Sequence, residues 1–230
     1  MKRSVLYLLI ALLLLGALAA CGQEKPTAAP AKAAPTEPAS QAKPDVKTES
    51  WSEPRVVTGN SNRVTTATEG EVMKFEIQDQ ETYIYRFYEG KEFDDVTVET
   101  TVENFGNTNN GIALICRATA AGWYEFRISS SGNYAIYRFE QKLKDSGKNP
   151  YTLIMNGAST AINAGFKTNK LTFTCQGNSL KPFVNDTEIK SINKPFEDGA
   201  YTSGQSGIGV MSYSDFPVKV DFKGVSVVKP

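Results

Sequence analysis

Trp123, Glu125 and Arg127 stand at two-residue steps, and after a Ser-Ser-Gly turn the same spacing resumes in Ala135, Tyr137 and Phe139. Side chains two apart on an extended chain share a face. A hairpin looped through Ser130-Ser131-Gly132 therefore gathers an indole, a carboxylate, a guanidinium and a phenol on one side of a sheet. Its other side sets Ile128 against Tyr134, Phe126 against Ile136 and Tyr124 against Arg138. Arg117, opposite in parity to Cys116, is expected on the polar side as well. These groups suit recognition: aromatic rings lie against the apolar side of a sugar ring, while Arg and Glu make paired hydrogen bonds to neighbouring hydroxyls. The expected ligand-binding set is Arg117, Trp123, Glu125, Arg127 and Tyr137, and the expected ligand is carbohydrate. A second reading fits the same residues. On an exposed antiparallel face, Arg117, Glu125 and Arg127 can simply neutralise one another, and a one-residue change in the loop would alter which residues share that face.

What the chain lacks narrows the chemistry. There is no histidine, which removes Ser-His-Asp and Cys-His catalysis, histidine-containing metal sites and imidazole bases. Any acid or base would have to be Asp, Glu, Lys or Tyr. The acidic groups Glu92, Asp94 and Asp95, and Glu99 with Glu103, read as turn and solvated-face charges, so no catalytic residue and no metal ligand is assigned. Basic and acidic residues balance at 25 each, and loss of Lys2 and Arg3 with a leader would leave 23 against 25. Such a chain has no basic stripe for nucleic acid. The glycine-rich stretch Gly204 to Val210 lies between strands and reads as a turn into a tightly packed strand.

Compartment follows from the first residues. Met1-Lys2-Arg3 precedes an uncharged apolar run from Val5 to Ala20 and then a cysteine. The run is short and ends in small residues, as in a secretory signal rather than a spanning helix. Leu18-Ala19-Ala20-Cys21 resembles the lipobox of bacterial lipoproteins, which implies lipidation of Cys21. Plain cleavage after Ala20 and an uncleaved anchor are the alternatives. Residues 22 to 50 are rich in Ala, Pro, Lys and Glu and have no aromatic residue; such a segment buries too little apolar surface to offset its ordering entropy. Extended, it reaches on the order of 90 Å. The expected organisation is a lipoprotein signal peptide over 1–20, a lipid-anchored linker over 21–50 and a folded domain over 51–230. The chain would then sit at the cell membrane on the extracytoplasmic face, touching lipid through its anchor only. In that oxidising compartment Cys116 and Cys175 are expected to form a disulfide. Free thiols or a metal pair remain as other readings.

From Trp51 onward the composition shifts to Val, Ile, Thr, Phe and Tyr punctuated by Gly and Asn. Candidate strands run through EVMKFEIQ, TYIYRFY, DVTVETTVENF, GIALICRA, WYEFRIS, NYAIYRF, LTFTCQG, SLKPFVN, TEIKSI, SGIGVMSYS and VKVDFKGVSVVK, with no convincing helix. The expected fold is all-β, an antiparallel β-sandwich or barrel. Gly111 to Ala118 is apolar on both faces, with Ile112, Leu114 and Cys116 on one and Ala113 and Ile115 on the other, which places that strand centrally. Pro182 marks an edge strand or a bulge.

The stretches GIALICRATAAGWYEFRISSSGNYAIYRF, NKLTFTCQGNSLKPFVNDTEI and SGIGVMSYSDFPVKVDFKGVSV resemble the concanavalin A-like, laminin G-like jelly-roll superfamily. They are most similar to its bacterial domains of the 3-keto-disaccharide hydrolase or laminarinase-like type, and the resemblance spans residues 55 to 229. It implies a fold more than an activity. The glucanases of this superfamily carry an E-x-D-x-x-E array, and no such array occurs here. Many relatives hold a structural calcium ion partly through an Asp after the Phe of the last strand. Here Lys223 follows Phe222, so that ligand is missing; no cofactor is expected, and structural calcium, open only through loop carbonyls, is unsupported by the sequence. The expectation is a non-catalytic carbohydrate-binding module at the cell surface. A glycoside or 3-keto-disaccharide hydrolase and a protein-interaction or envelope module are the alternatives.

Overall fold

The computed structural model describes residues 51–191 and 195–230. The expected signal peptide, the lipidation at Cys21 and the linker over 21–50 lie outside the described residues. Among the described residues, alternation of apolar and polar side chains builds fourteen strands: β1 (Arg55–Thr58), β2 (Val64–Glu69), β3 (Val72–Ile77), β4 (Tyr83–Phe87), β5 (Val96–Asn104), β6 (Asn110–Ala118), β7 (Gly122–Ile128), β8 (Asn133–Glu140), β9 (Tyr151–Ala158), β10 (Thr168–Gln176), β11 (Ser179–Val184), β12 (Thr187–Glu188), β13 (Gln205–Ser212) and β14 (Val218–Val228). A short helix, α1 (Gln141–Asp145), follows β8, and one 3₁₀ turn covers Ser61–Arg63. The eleven expected strand segments form strands, joined by β1, β2 and β9 and the helix, which sequence patterning did not anticipate.

Two seven-stranded sheets result, in the orders β1-β4-β13-β6-β7-β8-β9 and β12-β11-β10-β5-β14-β3-β2, and every pairing is antiparallel. Between them lies one apolar core, with Ile112, Leu114, Phe126 and Ile136 from the first sheet facing Phe173, Val98, Val220 and Phe222 from the second. The fold is therefore an antiparallel β-sandwich, as its patterning indicates. Cys116 on β6 and Cys175 on β10 are disulfide-bonded across this core, with Cα atoms 6.6 Å apart. Pro182 sits on β11, next to the two-residue β12 at the sheet margin, where a missing N–H is tolerated.

The first sheet is apolar on both faces. Strand β6 is buried along its whole length, because Ala113 and Ile115 face a second cluster on the side away from the core. This outer cluster also holds Val57, Tyr85, Phe87, Trp123, Phe139 and Met211, with Tyr83, Tyr151 and Tyr213 packed against it. Strand β13 makes room for these rings by presenting Gly209 where a side chain would stand. A Cβ there would lie 2.5 Å from the Tyr85 ring.

Candidate functional site

The β7–β8 hairpin takes the register its sequence suggests. Ile128 pairs with Tyr134, Phe126 with Ile136 and Tyr124 with Arg138, and a turn closed by Gly132 N–H on Ser129 carbonyl joins the strands. Trp123, Glu125, Arg127 and Tyr137 thus share the outer face of the first sheet. Their neighbours are supplied by β4, β9 and the end of β13, which bring Tyr83, Tyr85, Tyr151 and Tyr213 to the same surface.

Polarity rises along this face from one end to the other. At the apolar end the Trp123 ring stacks on Phe139 with centroids 3.8 Å apart and planes 12° from parallel, and Phe87 and Tyr85 close on its edges. Trp123 is 1% exposed. In the middle lies Glu125, with no exposed surface: its Oε2 accepts from the Trp123 indole N–H and the Tyr85 hydroxyl, each at 3.1 Å, and its Oε1 accepts from Arg127. Next comes Arg127, 7% exposed, whose guanidinium lies over the rings of Tyr137 (4.8 Å), Tyr151 (5.2 Å) and Tyr83 (5.4 Å). Its Nη1 donates to the Tyr213 hydroxyl at 3.3 Å, while Nε has no hydrogen-bond partner among the described residues. Cation–π contacts of this kind strengthen when water is excluded.

The ionisation states follow from burial. Burial lowers the Arg127 pKa, but the Glu125 carboxylate and the surrounding phenols more than offset that, and the guanidinium stays charged. Burial, with the nearby Glu125 charge, pushes the Tyr85 and Tyr151 phenols well above their ordinary range. Burial also raises Tyr83 and Tyr137, against the opposing pull of Arg127. These four phenols are neutral donors and acceptors at physiological pH.

Two open depressions flank the arginine. One, of about 330 Å³, is lined by Arg127, Tyr137, Tyr213, Asn109, Asn133 and Ser129 among others. The other, of about 290 Å³, is lined by Tyr83, Tyr151, Asn149, Thr58 and Glu81, and it too touches Tyr213. Both are at the small end of the range for ligand sites, and they combine aromatic walls with a few polar groups.

Of the expected set, Arg127 and Tyr137 line a depression. Trp123 and Glu125 lie beneath the surface, so the expectation that they touch a ligand is corrected: one forms the floor and the other fixes Arg127. Arg117 is not on this face at all. Strand β6 carries a bulge opposite β13, and Arg117 takes a left-handed φ of 55°, so strict alternation fails at that residue. Its guanidinium turns to the end of the sandwich and donates to the carbonyls of Asp94 (2.8 Å), Gly177 (2.6 Å) and Tyr201 (3.1 Å), and to Asp95 (3.3 Å). Arg117 is a buried tie between loops. The tyrosines at 83, 85, 151 and 213 were missed by sequence reasoning. Tyr83 and Tyr85, two apart in TYIYRFY, carried a readable signal; Tyr151 did not, because β9 was not recognised.

The Lys223 ammonium pairs with Glu103, and Asp221 lies on the outer face of the second sheet beside Lys74 and Lys223. Among the described residues no three acidic, cysteine or histidine side chains gather as a metal site would need.

This architecture defines a class: a jelly-roll sandwich with a polar, aromatic outer sheet face. Solved structures share the fold. The carbohydrate binding module CBM66 from Bacillus subtilis superposes with a TM-score of 0.56 at 17% identity, over 77% of this chain and 94% of that one. The VIP36 exoplasmic/lumenal domain, in a Ca²⁺/Man3GlcNAc-bound form, gives 0.55 at 9% identity, over 82% and 86%. A Bacillus licheniformis β-glucanase gives 0.52 at 11%, over 80% and 94%. No protein-family model matches the sequence, and no curated protein does.

Proposed function

We propose that the chain is a carbohydrate-binding module held at the extracytoplasmic face of a membrane by a lipid on Cys21, and that glycan docks on the outer face of the first sheet. One observation carries this reading: the depression in which Tyr137 and Tyr213 stand over Arg127 with asparagine and serine side chains around them. Half-buried tyrosines offer both a ring and a hydroxyl to a sugar. Glu125, the carboxylate beneath this face, has no exposed surface, accepts from Arg127, Trp123 and Tyr85, and does not line the depression, so it is not placed to act on a bound sugar as acid or base. That favours binding over the hydrolase alternative. The lipobox-like Leu18-Ala19-Ala20-Cys21 and the Ala/Pro-rich stretch after it support an anchored, stalked domain, and a core disulfide accords with an oxidising compartment.

Screening the purified protein on a glycan array, followed by calorimetric titration of the hits, tests the reading. Saturable binding is expected, weakened about tenfold or more by Tyr137→Ala, which removes a wall without opening the core. Affinity should be level from about pH 6 to 9, since the raised Tyr83, Tyr137 and Tyr151 phenols keep their protons and Arg127 keeps its charge. Absence of binding to every glycan would overturn the reading.

A further inference from the structure

Resting on the carbohydrate reading, a second question is which glycans this face admits. Arg127 is the one cation lining either depression among the described residues. Its charge is already matched by Glu125, whose side chain has no exposure, so the pair carries no net charge. Two carboxylates also stand at these depressions, while the exposed Lys148 precedes Asn149 in the chain without lining either. Glu81 lines the second depression, and Asp215 accepts from Asn109 at 3.0 Å beside the first. Arg55 occupies the far, apolar end of the sheet, reaches Gln141 and lines neither depression. The other polar side chains lining the two depressions are neutral: tyrosine hydroxyls, the amides of Asn109, Asn133, Asn149 and Asn156, and serine and threonine hydroxyls. A carboxylate or sulfate entering this surface would give up hydration and meet no unmatched cation.

The two depressions meet at one residue. Tyr213 lines both, and its ring stands edge-on to Tyr83 at 6.1 Å while its hydroxyl is held by Arg127. Gly111 in β6 gives that hydroxyl its place, because a Cβ there would lie 2.7 Å from it. We propose that the ligand is an uncharged oligosaccharide of at least two sugars laid across Tyr213, one unit to each depression, and that anionic polysaccharides are excluded.

Calorimetric titration of the purified protein with two panels tests this. The neutral panel comprises cello-, laminari-, manno-, xylo-, fructo- and chito-oligosaccharides from mono- to hexasaccharide; the anionic panel comprises oligogalacturonides, alginate oligosaccharides and heparin fragments. The expected result is that at least one neutral series binds, gains about fivefold or more in affinity between the monosaccharide and the tetrasaccharide, and exceeds every anionic ligand by about tenfold. That binding should change less than about twofold between about 50 and 500 mM salt. Tyr213→Ala should flatten the length dependence, and Tyr213→Phe, which keeps the ring, should restore most of it. An anionic oligosaccharide binding as tightly as the best neutral one, or affinity independent of length, would overturn the proposal while leaving carbohydrate binding standing. Silence from both panels would remove the carbohydrate reading and this inference together.

Discussion

Arg127 is held charged inside a shell of tyrosines because Glu125 stands beside it; Glu125 is fully buried and Arg127 nearly so. Removing one partner of a buried ion pair leaves the other uncompensated. Glu125→Gln should therefore lower stability by roughly 3 to 5 kcal/mol, read from urea unfolding. A double Glu125→Leu, Arg127→Met variant should lose much less, since hydrophobic residues of similar volume replace a buried pair with little penalty. Equal losses in the two would mean that packing, rather than charge, sets the energetics here. At this scale the sequence was informative in part. The two-residue spacing of Trp123, Glu125 and Arg127 correctly indicates a shared face, and mutual neutralisation of Glu125 and Arg127 was one of two readings it allowed. Depth was not legible: that Trp123 and Glu125 form a floor depends on rings delivered by β4 and β9, which alternation within one hairpin cannot reveal.

Among the elements, the β7–β8 hairpin follows from its own residues, because Ser130, Ser131 and Gly132 leave a single register that buries Phe126 and Ile128. Two other elements escape local reasoning. The stretch that forms β9 mixes Leu, Ile and Met with Asn and Gly and lacks clean alternation, its pairing with β8 shifting register between Ile136 and Tyr137. The β6 bulge is set by its partner β13, so the turning of Arg117 has no signal in its own neighbourhood. Strand β13 contributes by what it leaves out. Gly209 sits under the Tyr85 ring, and Gly209→Ala would press a methyl into it. Overpacking of this sort should lower stability by about 1 to 3 kcal/mol, measured by thermal or chemical unfolding. A neutral outcome would show that the outer cluster repacks freely.

Across the whole molecule, the two sheets are joined by the Cys116–Cys175 bond between β6 and β10, closing a loop with a sequence separation of 59. In the chain-entropy model such a closure stabilises by about 4 kcal/mol. Replacing both cysteines with alanine should lower stability by roughly 2 to 5 kcal/mol without altering glycan affinity, since the disulfide faces the core and the binding surface lies on the other side of the sheet. The sandwich itself was legible because period-two patterning recurs along the chain and both faces of residues 111 to 118 are apolar. A ligand is not written in that patterning, because likeness to a carbohydrate binding module, a lumenal domain and a glucanase fixes a scaffold that hosts different activities. The most direct test is an NMR titration of the purified, isotopically labelled protein with the tightest neutral oligosaccharide from the panels. The perturbed amides should cluster at Arg127 to Tyr137, Tyr151 and Tyr213, together with the Trp123 indole N–H beneath them. Perturbations centred on the second sheet, or none at saturating sugar, would contradict glycan docking on the outer face of the first sheet.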